Sequence, residues 1–307
     1  MKKVSMYVAF LAIMLSACSS NDGVPDSNES AEIKVGATVS EAITKAPVTT
    51  GDKFTAAITA FESSGYPTWT AQPAWQNTIT LTASQESTGN WVPLDNSKVY
   101  PNGGNVYMAA WHPNIPSENG LVRFNKTGTE DVMYGGIVYG SKQTPVSSPF
   151  TFGHKLTQLN FRVQATTEFL RNNIDKAISK IEIIDGQYPS SMTIADGKIV
   201  YEDKSVKPEV PGIAQYVLTT NLEAVGSPLM IGPMDALKIK VYYVDGTDSN
   251  EILINNVADG KTPLEVKEGY AHSINLIFQG RDEIVIVATG SVSDWKTGES
   301  GNGTIIN

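Results

Sequence analysis

The 307-residue sequence lacks most of what an enzyme or a disulfide-stapled module needs. It has one cysteine, Cys18, so no internal disulfide can form. Its three histidines, His112, His154 and His272, lie far apart, with no His-x-x-x-His or Cys–His spacing for a metal ion. No Gly-x-Ser-x-Gly elbow and no phosphate-cradling glycine loop occurs. Carboxylates are plentiful, but nothing in the sequence singles out one pair for glycoside hydrolysis. Charged residues make up only 18%, and the formal net charge is -9. A chain of that sign without a basic patch has no means of releasing counterions from nucleic acid, and no electrostatic attraction to anionic lipid.

What is present begins at the N-terminus. Lys2 and Lys3 form a short positive region, and Val8 to Leu15 is an apolar stretch of secretory length. It is too short to cross a bilayer, which takes about 20 apolar residues. It runs into Leu15-Ser16-Ala17-Cys18, small residues followed by a cysteine, the pattern of a bacterial lipobox. The expectation is a signal peptide over residues 1–17, cleavage between Ala17 and Cys18, and lipid on the Cys18 thiol and its new amine. Two or more acyl chains anchor stably where one does not. Residues 18–30 are Ser, Asn, Asp, Gly and Pro with little apolar content and read as a disordered tether. Fully extended, it spans roughly 40 Å.

The remainder reads as nearly all β. Apolar and polar residues alternate at Ile33, Val35, Ala37 and Val39, at Ile79 and Leu81, at Leu159, Phe161 and Val163, and from Tyr270 to Phe278. Asp-Gly pairs at 185–186, 196–197, 245–246 and 259–260 suit tight turns, and residues 194–201 read as a hairpin. Thr167 to Lys180 reads as the one helical segment, with Phe169, Ile174 and Ile178 on one face. Many short strands between turn signals indicate β-sandwiches. Length suggests two domains. The polar, proline-containing run Ser141 to Pro149 marks their expected boundary, giving an N-terminal domain over 31–148 and a C-terminal domain over 149–307.

Other candidates have plainer explanations. Asp245, Asp248, Asn250 and Glu251 offer oxygen ligands, but their spacing fits a polar hairpin tip better than a calcium loop. His154 and His272 fall in apolar strand patterns and read as packed, hydrogen-bonded residues. Trp69, Trp75, Trp91 and Trp111 suit a sandwich core, or a sugar-stacking surface. No cofactor and no metal is expected.

Several short motifs, taken in order, resemble the fimbrillin-like lipoproteins of Bacteroidetes. They are the lipobox and tether, an early strand followed by Ile43-Thr44-Lys45-Ala46, and Gly51-Asp52 with Phe54. Next comes Phe152-Gly153-His154-Lys155-Leu156 running into Leu159-Asn160-Phe161-Arg162-Val163. Last are Tyr270-x-His272-x-Ile274-x-Leu276, Ile284-x-Ile286, Asp294-Trp295 and Gly298. The resemblance covers most of the chain after Cys18.

It implies two transthyretin-like, Greek-key β-sandwich domains and a non-enzymatic role as a pilus subunit supporting adhesion. It also implies export as an outer-membrane lipoprotein and cleavage by a protease after a basic residue. That residue would be Lys45, before Ala46, where the family often has arginine. An Arg-only protease would not cut there. Cleavage would free residues 31–45, whose Ile33, Val35, Val39 and Ile43 fill the core, and a neighbour's strand would take their place. Expected partners are other fimbrial subunits, the processing protease and, before processing, the membrane through Cys18; nucleic acid is not among them. Ile284 to Val292 with Trp295, or Thr304-Ile305-Ile306, could donate the strand, although both also read as ordinary C-terminal strands. A surface glycan-binding lipoprotein of a polysaccharide-uptake system is the alternative reading, with an outer-surface hydrolase third.

Overall fold

The computed structural model describes residues 31–39, 52–82, 90–256, 259–279 and 285–294, and the statements below concern these. The signal peptide, Ala17, Cys18, the tether, Ile43, Lys45, Ala46 and the residues after Asp294 fall outside them.

Strands dominate, as the period-two alternation predicts. The first group is β1 (Lys34–Val39), β2 (Lys53–Ser63), β3 (Trp75–Thr82), β4 (Asn90–Pro93), β5 (Asn105–His112), β6 (Ser117–Glu118), β7 (Leu121–Arg123), β8 (Met133–Gly140) and β9 (Phe150–His154). After β10 (Thr157–Ala165) comes the helix α1 (Thr167–Asn172). Next are β11 (Ala177–Ile184), β12 (Pro189–Thr193), β13 (Ile199–Tyr201), β14 (Tyr216–Val217), β15 (Glu223–Ala224) and β16 (Leu229–Ile231). The last are β17 (Lys238–Tyr243), β18 (Ile252–Leu253), β19 (Asn255–Asn256), β20 (Tyr270–Gln279) and β21 (Val285–Asp294).

Seven strands form one sheet in the order β3-β2-β5-β8-β9-β1-β4. Its terminal strands β3 and β4 touch each other, so the sheet curls around its own apolar face. Val35, Phe54, Ile58, Ile79, Met108 and Phe152 meet there in one buried cluster. A second cluster lies between the sheet β15-β10-β20-β21-β19 and the sheet β14-β11-β17-β18. Phe161, Ile274 and Phe278 pack there with Ile181, Ile239 and Val241. A third cluster joins the outer face of the first sheet, through Ala57 and Trp111, to Val122 on β7 and Met192 on β12. Leu156, Met230 and Ala271 belong to the same cluster.

Two expectations change. The run from Ser141 to Pro149 connects β8 to β9, and these are antiparallel neighbours in one sheet. Phe150 and Phe152, beyond the expected boundary at 148, are buried in the first cluster. Strand pairing changes over after β9, at Lys155 and Leu156. The helix is also shorter than its apolar spacing suggested. Thr166 caps it by accepting a hydrogen bond from the Phe169 amide at 3.1 Å. It ends at Asn172, and Asp175 takes a left-handed φ of 59°. Ile178 is buried in β11, while Ile174 is exposed between the two elements. A β-branched run, Ile178 to Ile184, favours a strand where a longer helix was expected.

The hairpin at 194–201 forms through β12 and β13, with Gly197 at a φ of 69° in its turn.

Candidate assembly site: the seat of the first strand

The first strand is held on three sides. Along its length it pairs antiparallel with β4, placing Val35 opposite Val92, Gly36 opposite Trp91 and Ala37 opposite Asn90. Toward its C-terminal end it pairs in parallel with β9, with Ala37 opposite Phe150 and Val39 opposite Phe152. Before the strand, the Ile33 amide donates to the Lys98 carbonyl at 2.7 Å, and the Tyr100 amide donates to the Ala31 carbonyl at 3.0 Å. The Ser97 hydroxyl donates to the Glu32 carboxylate at 2.8 Å. The Thr38 hydroxyl reaches back to the Phe150 carbonyl and the Thr151 hydroxyl at 3.4 and 3.3 Å.

Strand alternation aims the apolar side chains inward. Ile33 and Val35 are fully buried and Val39 nearly so, together with Ala37. Lys34 and Glu32 face solvent. Removing Ile33, Val35 and Val39 from water contributes about 5–9 kcal/mol before conformational entropy is counted. Gly36 is there because the strand passes under an indole: a Cβ built on it would lie 3.2 Å from the Trp91 ring and from the Pro149 Cβ.

The sheet order determines what the strand's departure would do. It lies between β9 and β4, so its loss strips β4 of its neighbour and opens the edge of β9 where Phe150 and Phe152 point into the core. β8 pairs with β9 only at Met133–His154 and Tyr134–Gly153, so it does not cover that part of β9. An unpaired strand edge beside an emptied apolar slot is a template for another strand. β2, the next strand in sequence, lies four places away in the same sheet, beyond β9, β8 and β5. Among the described residues, backbone pairing, core contacts and the few hydrogen bonds of Glu32 and Thr38 hold the first strand in its seat, and the chain links it to β2.

Among the described residues the slot is lined by apolar side chains, so its chemistry is that of pairing and burial. Elsewhere the histidines are structural. The His154 Nδ1 lies 2.8 Å from the Asp131 carboxylate, both buried. The His272 Nε2 accepts a hydrogen bond from the Lys267 amide at 3.4 Å. The oxygen-rich segment after β17 is a turn in which Asp245 bonds Lys176 at 2.7 Å and Asp248 bonds Lys240 at 3.0 Å. Among the described residues no group of three or more His, Cys, Asp or Glu could hold a metal ion. Trp111 and Trp69 are buried in the third cluster, while Trp91 is partly exposed over Gly36.

Ile33, Val35 and Val39 fall together, as the alternation predicts. Sequence reasoning missed Gly36 and Trp91, the Thr38 hydroxyl, and the clamp formed by Lys98 and Tyr100. Their contacts depend on pairing across roughly 60 to 110 residues, which no local pattern encodes. The unbroken small-residue step Gly36-Ala37 was the only available sign.

The sequence profile described as fimbrillin-like matches residues 40–295, and the chain belongs to that family. It is therefore a pilus-subunit protein of the cell-surface fimbria, and not an enzyme. The match begins one residue after β1. No curated protein matches the chain. Among solved structures, it is similar to a Bacteroides uniformis protein provisionally described as a cell adhesion protein. That likeness has 13% identity, a TM-score of 0.53, and coverage of 86% of this chain and 98% of that one. A Bacteroides ovatus protein with the same description has 13% identity, a TM-score of 0.51, and coverage of 88% and 100%. The tip fimbrial protein Mfa3 of Porphyromonas gingivalis has 10% identity, a TM-score of 0.43, and coverage of 87% and 100%. The first two likenesses establish a shared fold.

Proposed function

We propose that this chain is exported as a lipoprotein through Cys18, processed between Lys45 and Ala46, and assembled into an adhesive fimbria by strand exchange. The observation that carries the reading is the position of β1, an interior strand with an apolar face and only one covalent link to the rest of the sheet. Lys45 lies in the segment between Val39 and Lys53 that makes this link. While the link is intact, the strand rebinds at high effective concentration, and a neighbour's strand cannot compete. After cleavage, rebinding becomes bimolecular and the peptide is diluted away. The slot beside β9 then accepts a strand from another subunit, main-chain pairing supplying affinity and alternate side chains supplying register. Lipid on Cys18 holds the precursor at the outer membrane until this happens. A subunit that escapes cleavage would remain there as an anchor.

Replacing Lys45 by alanine tests the sequence of events. Lys45→Ala should leave a folded, lipidated monomer at the cell surface that does not enter polymers. Polymer formation by Lys45→Ala at the normal level would refute the processing step and leave the fold untouched.

A further inference from the structure

A second feature lies on the outer face of the first sheet, beside the connection from β8 to β9. Phe61, Tyr107 and Tyr139 stand opposite one another across β2, β5 and β8. Tyr107 and Tyr139 stack with ring centres 5.3 Å apart and planes 21° apart. Tyr66 meets Tyr107 edge-on at 6.0 Å. Tyr66 and Tyr139 are 68% and 63% exposed, among the most exposed large aromatic or aliphatic side chains described. With one face against Tyr107, Tyr139 turns its other face to solvent.

That ring forms one wall of a groove of about 480 Å³, within the range of small-molecule sites. Opposite it runs the connection from β8 to β9. Ser141, Thr144, Ser147 and Ser148, with Asn105, bring hydroxyl and amide groups to the groove, and none of the described residues that line it is charged. The connection is held in place. The Ser141 amide donates to the Thr144 carbonyl at 2.9 Å, and the Thr144 amide donates to the Ser141 hydroxyl at 3.1 Å. The Val146 amide donates to the Tyr100 hydroxyl at 2.9 Å. Beneath it, Gly140 leaves no room for a side chain, since a Cβ there would lie 2.6 Å from the Val146 nitrogen. The groove is therefore formed in advance.

We propose that this groove binds a neutral oligosaccharide. The electron-rich face of a tyrosine attracts the polarised C–H groups on the flat side of a pyranose ring. Hydroxyl and amide side chains exchange hydrogen bonds with sugar hydroxyls in either direction. The described lining offers no charge to a phosphate, a sulfate or a carboxylate, and Lys142 on the same connection reaches Asn102 at 3.5 Å instead, which favours uncharged sugars. A fimbrial subunit carrying such a groove would contact host or bacterial glycans along its own length. The proposal does not depend on how subunits assemble.

Saturation-transfer NMR on the purified, folded chain tests it, using cello-, xylo- and malto-oligosaccharides, N-acetyllactosamine and sialyllactose as probes. At least one neutral probe should receive transfer. Tyr139→Ala should weaken that binding by about tenfold or more. Tyr139→Phe, which keeps the ring, should preserve it. Thr144→Lys, placed on the opposite wall, should also weaken it and guards against a folding defect in the tyrosine variant. Failure of every neutral probe, binding confined to sialyllactose, or binding unchanged in both Tyr139→Ala and Thr144→Lys would overturn the proposal.

Discussion

Trp91 lies directly over Gly36, its indole close enough that a single added carbon would meet it at 3.2 Å. The two residues are cross-strand partners in β4 and β1. The absence of a side chain on one strand is thus matched by the largest side chain on the other. Pro149, just before β9, closes the same position from the other side.

Enlarging Gly36 tests this fit. Gly36→Val should push Trp91 outward or lift the strand from β9, costing about 1–3 kcal/mol. The urea midpoint of the uncleaved chain should fall accordingly. An unchanged midpoint would mean that the indole moves aside freely.

The apolar side chains of β1 should matter more. Ile33→Ala leaves a cavity in a fully buried site and should cost about 2–5 kcal/mol. Val35→Asp should be worse, because an unpaired carboxylate would have to enter the core. Hydrogen exchange provides the local readout. In both variants the amides of β1 and β4 should lose protection before those of β10 and β20, which share a separate core.

Acid should weaken the second core through His272. Burial, and secondarily the positive charge of Lys267, lower its pKa from 6.5 to about 4. The folded chain therefore favours the neutral imidazole, and the unfolded chain binds the extra proton first. Stability is complete above about pH 6.5 and falls as pH drops toward 4, by about 3 kcal/mol in all. Urea midpoints at several pH values across this window should show the slope in the native chain. His272→Gln should remove most of it. Carboxylates held down by their partners, such as Asp259, titrate lower, near pH 2 to 4, and do not obscure this window.

The polar side of β11 offers a test of a different kind. Glu182 accepts from Lys180 and Lys207, each at 3.0 Å, and is almost fully buried between them. Glu182→Ala leaves Lys180 with Glu209 and Lys207 with solvent, and should cost about 1–2 kcal/mol, somewhat more than a fully exposed ion pair is worth. Thermal unfolding of the variant measures it.

Much of the fold was legible because strand alternation is local. Ile33 to Val39, Ile79 with Leu81, Leu159 to Val163 and Ile274 to Phe278 all turn the expected faces inward. Asp196-Gly197 forms the turn its sequence suggests. The helix was overextended because Ile174 and Ile178 satisfy helical spacing, while the turn at Asp175 between them left no pattern. The boundary near 148 was misleading for a similar reason. A proline-containing polar run looks alike whether it links domains or two strands of one sheet, and the pairing of β9 with β8, and then with β1, distinguishes them. The pairing with β1 is parallel and spans over a hundred residues, so nothing local could have encoded it. The row of Phe61, Tyr107 and Tyr139 is assembled from three strands and was invisible in the same way. The part of the site that the residues alone disclosed was the buried face of the first strand.

The central claim is that the first strand leaves when the subunit polymerises. The most direct measurement is the N-terminal sequence and mass of subunits recovered from native surface fimbriae. The account predicts chains that begin at Ala46 and carry no lipid. Polymerised subunits that begin at an acylated Cys18, with residues 31–39 still attached, would contradict it.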